Sequence, residues 1–440
     1  MLEQSIHRRV LDNGLEVIVL ENHGVPLATV EIDVKNGSFT QTPATEGLAH
    51  MYEHMFFQAN ATYPEGQLFA ERANELGAVY NGTTEEERVN YYVTLPSDQL
   101  SGGVHFMAAA LRGPLFKSEE LAREKEVVLG EYDRQEASPA FTLTREMGQK
   151  LWPGNWSRKN VIGDRTVVRN VTPEQMRAIQ QAYYVPNNAA LLITGDVTPA
   201  AAFAVADSAF GDWARAPDPF AANPIPPIPP LAHNEAVISE ADVGAVTVLV
   251  QWQGPSVRAD PDATYAADVF SDTMNEPGSR FQRALVDSGL WQGVLVNYYT
   301  LDHVGPITIS GQTTADKLRP ALAALDREIT RFDSASAVTP EQLAEVKTSR
   351  EVSSAFGRER TTTYTHTIGF WWSVASLEYY MGYVDHMATR TTADLQGYAR
   401  KYIVGKPHVT GVLISPADRQ SIGLTEADLT GAPTPGAPTQ

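Results

Sequence analysis

The segment TPEQMRAIQQAYYVPNNAALLITGD at 172–196 is echoed half a chain later by TADLQGYARKYIVGKPHVTGVLIS at 392–415. Each reads as a helix with tyrosine near its end, a short loop and an apolar strand. An echo at half the length of a 440-residue chain constrains the fold more than any other feature. It predicts two copies of one α/β unit, each large enough to bury its own core, the alternative being that helix–loop–strand units simply recur in α/β proteins. A composition shift falls where the joint belongs. Seven of the fourteen residues from Pro217 to Pro230 are proline. Proline lacks an amide donor and disfavours helix, which predicts an extended strap. The expected division is a first domain over 1–216, a linker over 217–233, a second domain over 234–428 and a disordered tail over 429–440.

Periodicity places the elements. Asp12-Asn13-Gly14 between alternating apolar runs predicts an opening hairpin. Helices are expected over Thr45–Phe57, Gly66–Leu76, Ser118–Glu136 and Pro173–Ala182, with a buried strand at Ala190–Asp196. After the linker the pattern restarts, with strands at EAVISEA and AVTVLVQWQG and a helix near Asp262–Asn275.

Charge and cysteine usage exclude whole classes of function. Lys and Arg number 34 against 53 Asp and Glu, a formal charge of −19. Nucleic-acid binding needs basic surface, so it is excluded as an expectation. With no cysteine, disulfides, thiol nucleophiles and Cys-type zinc sites are ruled out. No apolar run reaches the roughly 18 residues of a membrane span.

The chemistry lies in His50-Met51-Tyr52-Glu53-His54. Two histidines four apart project from one helical face and can reach one zinc ion. Glu53 stands beside them, placed to deprotonate the water that zinc binds, in the reversed H-x-x-E-H order. Accidental matches in a chain of this composition number roughly 0.01–0.02, so the pattern reads as a metal site. A catalytic zinc takes a third protein ligand. The helix at 118–136 offers Glu119, Glu120, Glu124, Glu126, Glu131 and Glu136. Glu124 and Glu131 share a face about 10 Å apart, so one can ligate and the other can orient a histidine. Glu119, Glu120 and Glu126 read as a solvated face.

These residues resemble the pitrilysin/insulinase-like inverzincin zinc metallopeptidases, which include the mitochondrial processing peptidases. In that family H-x-x-E-H is followed, at a set distance down the chain, by the last Glu of E-x6-E. Here the stretch from Met55 to Gly130 separates His54 from Glu131, which matches that spacing, and Glu124 opens the pair. The resemblance extends through ELGAVYNGTTEEERVNYYVTLP, VIGDRTVV, YYVPNNAALLITGDV and GSRFQRALVDSGL. It implies an α+β fold of two homologous half-domains related by pseudo-twofold symmetry. Each would be a mainly antiparallel mixed sheet packed with helices. It also implies a zinc endopeptidase acting on peptides or unfolded segments, with one Zn2+ per chain. Its ligands would be His50, His54 and Glu131, its base Glu53, and Glu124 would support the ligands. Asn81, Gly82 and Thr83 would contact substrate laid along a sheet edge.

The second half carries DATYAADVFSDTMN where the first carries the zinc helix, so it is expected to be metal-free. The family places an Arg/Tyr pair in that half, one strand after the G-x-S-R-x-F landmark, here Gly278–Phe281. The expected positions hold Asp302 or His303 and Ile309 or Ser310, and no arginine occurs from Ala284 to Leu318. The expectation is a heterodimer: this chain carries zinc and a homologous two-domain subunit lacking H-x-x-E-H supplies Arg/Tyr. The alternatives are a non-catalytic core subunit of the same fold and a homodimeric peptidase active alone. His303 reads as a loop histidine, the alternative being a substitute for the missing arginine, and Trp371, Trp372, Tyr379 and Tyr380 read as packing. A soluble, periplasmic protein is favoured over a cytoplasmic one, because similar two-chain bacterial relatives are often exported.

Overall fold

A computed structural model describes residues 6–357 and 361–430 of the chain. The first unit holds a six-stranded sheet. Its strands are β1 (Ile6–Val10), β2 (Glu16–Glu21), β3 (Leu27–Val34), β4 (Val79–Thr84), β5 (Val89–Pro96) and β6 (Ala189–Gly195), in the order β1-β2-β6-β3-β5-β4. The β2–β6 pair is parallel and the rest antiparallel. The second unit holds β7 (Glu235–Glu240), β8 (Val246–Gln253), β9 (Gly293–Tyr298), β10 (Pro306–Thr313) and β11 (Val409–Ile414), in the order β7-β11-β8-β10-β9. Here β7–β11 is the parallel pair. With β1 set aside, the second order and its one parallel pair repeat the first, as the sequence echo requires. The fold is α+β, with helices packed on both sheets.

Six helices carry the rest of the argument. They are α1 (Leu48–Phe56), α2 (Ser118–Glu136), α3 (Pro139–Leu151), α4 (Pro261–Asn275), α5 (Pro340–Phe356) and α6 (Thr361–Val374). Strand β3 shows how the first core is built. Ala28, Val30, Ile32 and Val34 point to one face and meet Leu48, Met51, Tyr52, Met55 and Phe56 of α1 in a single cluster. Phe56 stacks on Tyr91 of β5 at 3.6 Å between centroids. Truncating such a fully buried aromatic to alanine costs about 3–5 kcal/mol, so this packing fixes α1 against the sheet.

The opposite face of β3 presents Thr29, Glu31 and Asp33, all buried. It is covered by α6, which comes from the second half of the chain. Tyr364, Ile368 and Trp372 pack there with Ile18, Leu20, Ala190 and Leu192. The first half returns the exchange: Leu143, Met147 and Leu151 of α3 pack with Val237, Val409 and Leu413 on the second sheet. Residues 134–156 therefore belong to the second compact unit and 355–381 to the first. A division into contiguous halves misses this exchange, because an amphipathic helix is equally legible whichever sheet it covers. Two boundaries also differ from expectation. The proline-rich strap contains a short helix, Pro219–Ala222, capped by the Asp218 carboxylate, and is not extended throughout. Leu429 and Thr430 close the helix Glu426–Thr430, and the rest of the expected tail, 431–440, lies outside the described residues.

Candidate metal centre

Helix α1 begins at Gly47, whose φ of 94° favours glycine. No local side chain caps it. Instead the side-chain Oε1 of Gln41 accepts from the amides of Gly47 at 2.8 Å and Ala49 at 3.4 Å. The Gln41 amide donates to the carbonyls of Ser157 and Asn160, tying the helix start to the 157–160 loop. With its apolar stripe committed to the core, α1 presents His50, Glu53 and His54 on the remaining face.

Helix α2 supplies the third group. Glu131 Oε2 lies 3.5 Å from His50 Nε2 and 3.6 Å from His54 Nε2. One donor atom from each of the three residues falls within 4.8 Å of the others, the one such grouping of three or more among the described residues. Bonds of about 2.0–2.1 Å to a tetrahedral zinc place ligand atoms roughly 3.4 Å apart, so the two short separations fit one shared ion. Burial, followed by the neighbouring His54, pushes the His50 imidazole down to about 4. Neutral imidazole is the form that ligates metal. Its Nδ1 is buried without a hydrogen-bond partner.

Glu124, one face-repeat before Glu131, sits with Oε2 3.1 Å from His54 Nδ1, while its Oε1 accepts from Gln58 at 3.1 Å. That contact fixes the His54 ring with Nε2 turned toward Glu131. Burial opposes a proton on His54, but the Glu124 hydrogen bond and the charges of Glu131 and Glu53 outweigh it and raise its pKa. Glu120 is not on a solvated face as expected. It is 5 % exposed, and its Oε2 accepts from the Ala59 amide at 3.3 Å. The helix turns it inward against the chain leaving α1. Glu119 and Glu126 are exposed.

Glu53 has a partner that pattern reading missed. The Thr84 hydroxyl donates to Glu53 Oε2 at 2.6 Å. Burial raises the Glu53 pKa while this hydrogen bond opposes it. Thr84 is the last residue of β4, which ends the sheet. Along β4, Tyr80, Gly82 and Thr84 alternate with the exposed Val79, Asn81 and Thr83. A Cβ on Gly82 would lie 3.1 Å from Glu53 Cγ and 3.2 Å from Phe57. Asn81-Gly82-Thr83 thus runs along the edge beside Glu53, with Gly82 giving that carboxylate room. The period-two alternation was the available signal for Thr84.

A second missed feature anchors the same hairpin. Arg88, at the turn between β4 and β5, donates to Glu31 and, from Nε at 2.5 Å, to Asp33. His366 of α6 contacts the other Glu31 oxygen. His303 stands in the loop before β10, its Nδ1 3.8 Å from Asp302. Trp372 is buried and donates to Glu16 at 3.0 Å, and Trp371 stacks on Tyr379 and Tyr380.

Comparisons with known proteins agree with this chemistry. A family model described as insulinase (peptidase family M16) matches residues 16–164, and one described as peptidase M16 inactive domain matches 170–350. The chain belongs to peptidase family M16. It is similar to a protein named as an uncharacterized zinc protease of Rickettsia felis, 22 % identical over 371 residues that cover 84 % of this chain and 87 % of that protein. In fold it is similar to a protease from Helicobacter pylori, with a TM-score of 0.82 at 20 % identity, covering 93 % of this chain and 99 % of that one. It also resembles the periplasmic protease PqqL from Escherichia coli, with a TM-score of 0.78 at 17 % identity, covering 99 % of this chain but 52 % of that one. Family membership and the names of relatives imply zinc, and the donor set at His50, His54 and Glu131 suits it.

Proposed function

We propose that this chain is a zinc endopeptidase subunit in which His50, His54 and Glu131 hold the metal and Glu53 is the catalytic base. The observation that carries the reading is the convergence of Nε2, Nε2 and Oε2 from those residues beside a carboxylate held by Thr84. Zinc at such a site supplies Lewis-acid polarisation of the scissile carbonyl and an acidified water. Glu53 takes the proton from the attacking water and returns it to the leaving amine. Thr84 holds the carboxylate oxygen that performs the transfer. Glu124 keeps the His54 ring oriented. The outer edge of β4 accepts an extended peptide as an added strand, through main-chain hydrogen bonds at Asn81–Thr83.

The expected Arg/Tyr positions hold no arginine, which supports a second subunit as the source of that pair. The match to half the length of PqqL is consistent with a larger two-part assembly. Losing one oxyanion donor costs about 10²–10³ in rate, so the isolated chain is slow. No helix among the described residues is long and apolar enough to cross a membrane, and the likeness to a periplasmic protease supports the periplasm. Metal analysis and peptide cleavage test the reading together. About one zinc per chain is expected, lost in His50→Ala. A wild-type chain that binds no zinc points instead to a non-catalytic subunit. Turnover of an unstructured peptide that no co-purifying partner raises removes the heterodimer.

A further inference from the structure

The two sheets repeat, and each strand of the second starts close to half a chain after its counterpart. Glu16 answers to Glu235, Leu27 to Val246, Val79 to Gly293, Val89 to Pro306 and Ala189 to Val409. The strand starts are offset by 214 to 220 residues, and offsets of 218 and 219 within that range carry the proposed metal residues onto chemically different ones. They take His50 and His54 to Asp268 and Asp272 on α4, and Glu131 to Arg350 on α5. The second set is also assembled in space. Arg350 donates to Asp272 Oδ2 from Nε at 2.8 Å and from Nη2 at 2.5 Å. Asp268 Oδ2 accepts from the Tyr383 hydroxyl at 2.6 Å.

We propose that the Arg350 guanidinium is the second unit's built-in replacement for a metal ion, closing α5 onto the Asp268/Asp272 pair of α4 as a metal closes α2 onto the His50/His54 pair of α1. The inference rests on the metal reading of the first unit. Its chemistry is a reversal of charge roles. In the first unit two neutral imidazoles and one carboxylate surround a diffusible cation. In the second, the Asp272 carboxylate receives a cation fixed to the chain, and Asp268, one turn away, lies within the field of the same guanidinium.

The surroundings are those of a closed ion-pair site. Burial holds the Asp268 carboxyl up to about 7, against the Tyr383 hydrogen bond and the Arg350 charge. Removing the arginine leaves two carboxylates, one helical turn apart, without their cation. The second unit therefore keeps this helix contact without metal, and chelation loosens only the contact between α1 and α2.

Two experiments on the full chain test this. The first grafts the donor set: Asp268→His, Asp272→His and Arg350→Glu together are expected to raise bound zinc from about one to about two per chain. In a His50→Ala/His54→Ala background they raise it from none to one. A grafted chain with native circular dichroism and no added zinc overturns the equivalence. Wild-type chain without zinc is the separate failure of the first-unit reading. The second needs no graft to fold. Arg350→Met is expected to lower the melting temperature of the chelator-treated protein by roughly 2–4 °C, with Arg350→Lys recovering most of the loss. Equal melting of Arg350→Met and wild type overturns the clamp.

Discussion

At the scale of single residues, the proposed chemistry depends on where one carboxylate points. Glu53 lies beside the two histidines in sequence, but its orientation is set by Thr84, on a strand well downstream. Glu53→Gln keeps the metal ligands and removes the proton acceptor. Peptide turnover is expected to fall by about 10²–10⁴-fold, with zinc content unchanged by metal analysis. Thr84→Val removes one hydrogen bond and little volume. It is expected to lower kcat by roughly tenfold with KM and zinc content unchanged, the pattern of a positioning residue. The two histidines, Glu53 and the Glu124/Glu131 pair were legible because helical spacing is local and the ligand chemistry is restrictive. Thr84 was not, because strand pairing and the seating of α1 bring it to Glu53. Glu120 shows the same limit from the other side: its place in a charged helix concealed a buried carboxylate that accepts a backbone hydrogen bond.

At the scale of elements, the β4–β5 hairpin joins the edge strand to the core. Its anchor is Arg88, whose side chain is 6 % exposed against fully buried Glu31 and Asp33. Breaking a buried ion pair on one side leaves charge without compensation. Arg88→Met is expected to cost about 3–5 kcal/mol by denaturant unfolding. Gly82→Ala probes the site face of the same strand. Its new Cβ presses on Glu53 Cγ and Phe57. The expected result is reduced kcat with a native spectrum. In the second unit, Asp268 faces Tyr383, Arg350, Asp272 and the buried hydroxyl of Tyr398. Its folded pKa is raised to about 7 from an ordinary 3.8. Protonation therefore stabilises the fold at low pH, and that contribution is lost as pH rises through about 7. Asp268→Asn is expected to flatten the fall in melting temperature between about pH 4 and 7, read by calorimetry. Element type was well predicted: α2 runs from Ser118 to Glu136 as read from charge and periodicity. The cap of α1 was not, because Gln41 reaches it from outside the helix.

At the scale of the whole molecule, the duplication visible in 172–196 and 392–415 reappears as two sheets of matching strand order. Under the proposed reading, duplication lets one copy hold His50, His54 and Glu131 while the other carries Asp268, Asp272 and Arg350 at the corresponding places. A chelator is expected to abolish cleavage, and added zinc to restore it. By sequence alone the chain determined its repeat, its element types and the helical grouping of His50, Glu53 and His54, because periodicity and helical spacing are short-range properties. Only the tertiary structure decided that α3 and α6 exchange units, that Thr84 orients Glu53 and that Arg88 anchors the edge hairpin. Those contacts join residues far apart in the chain, and their partners are selected by complementary surfaces that exist only once both sheets have formed.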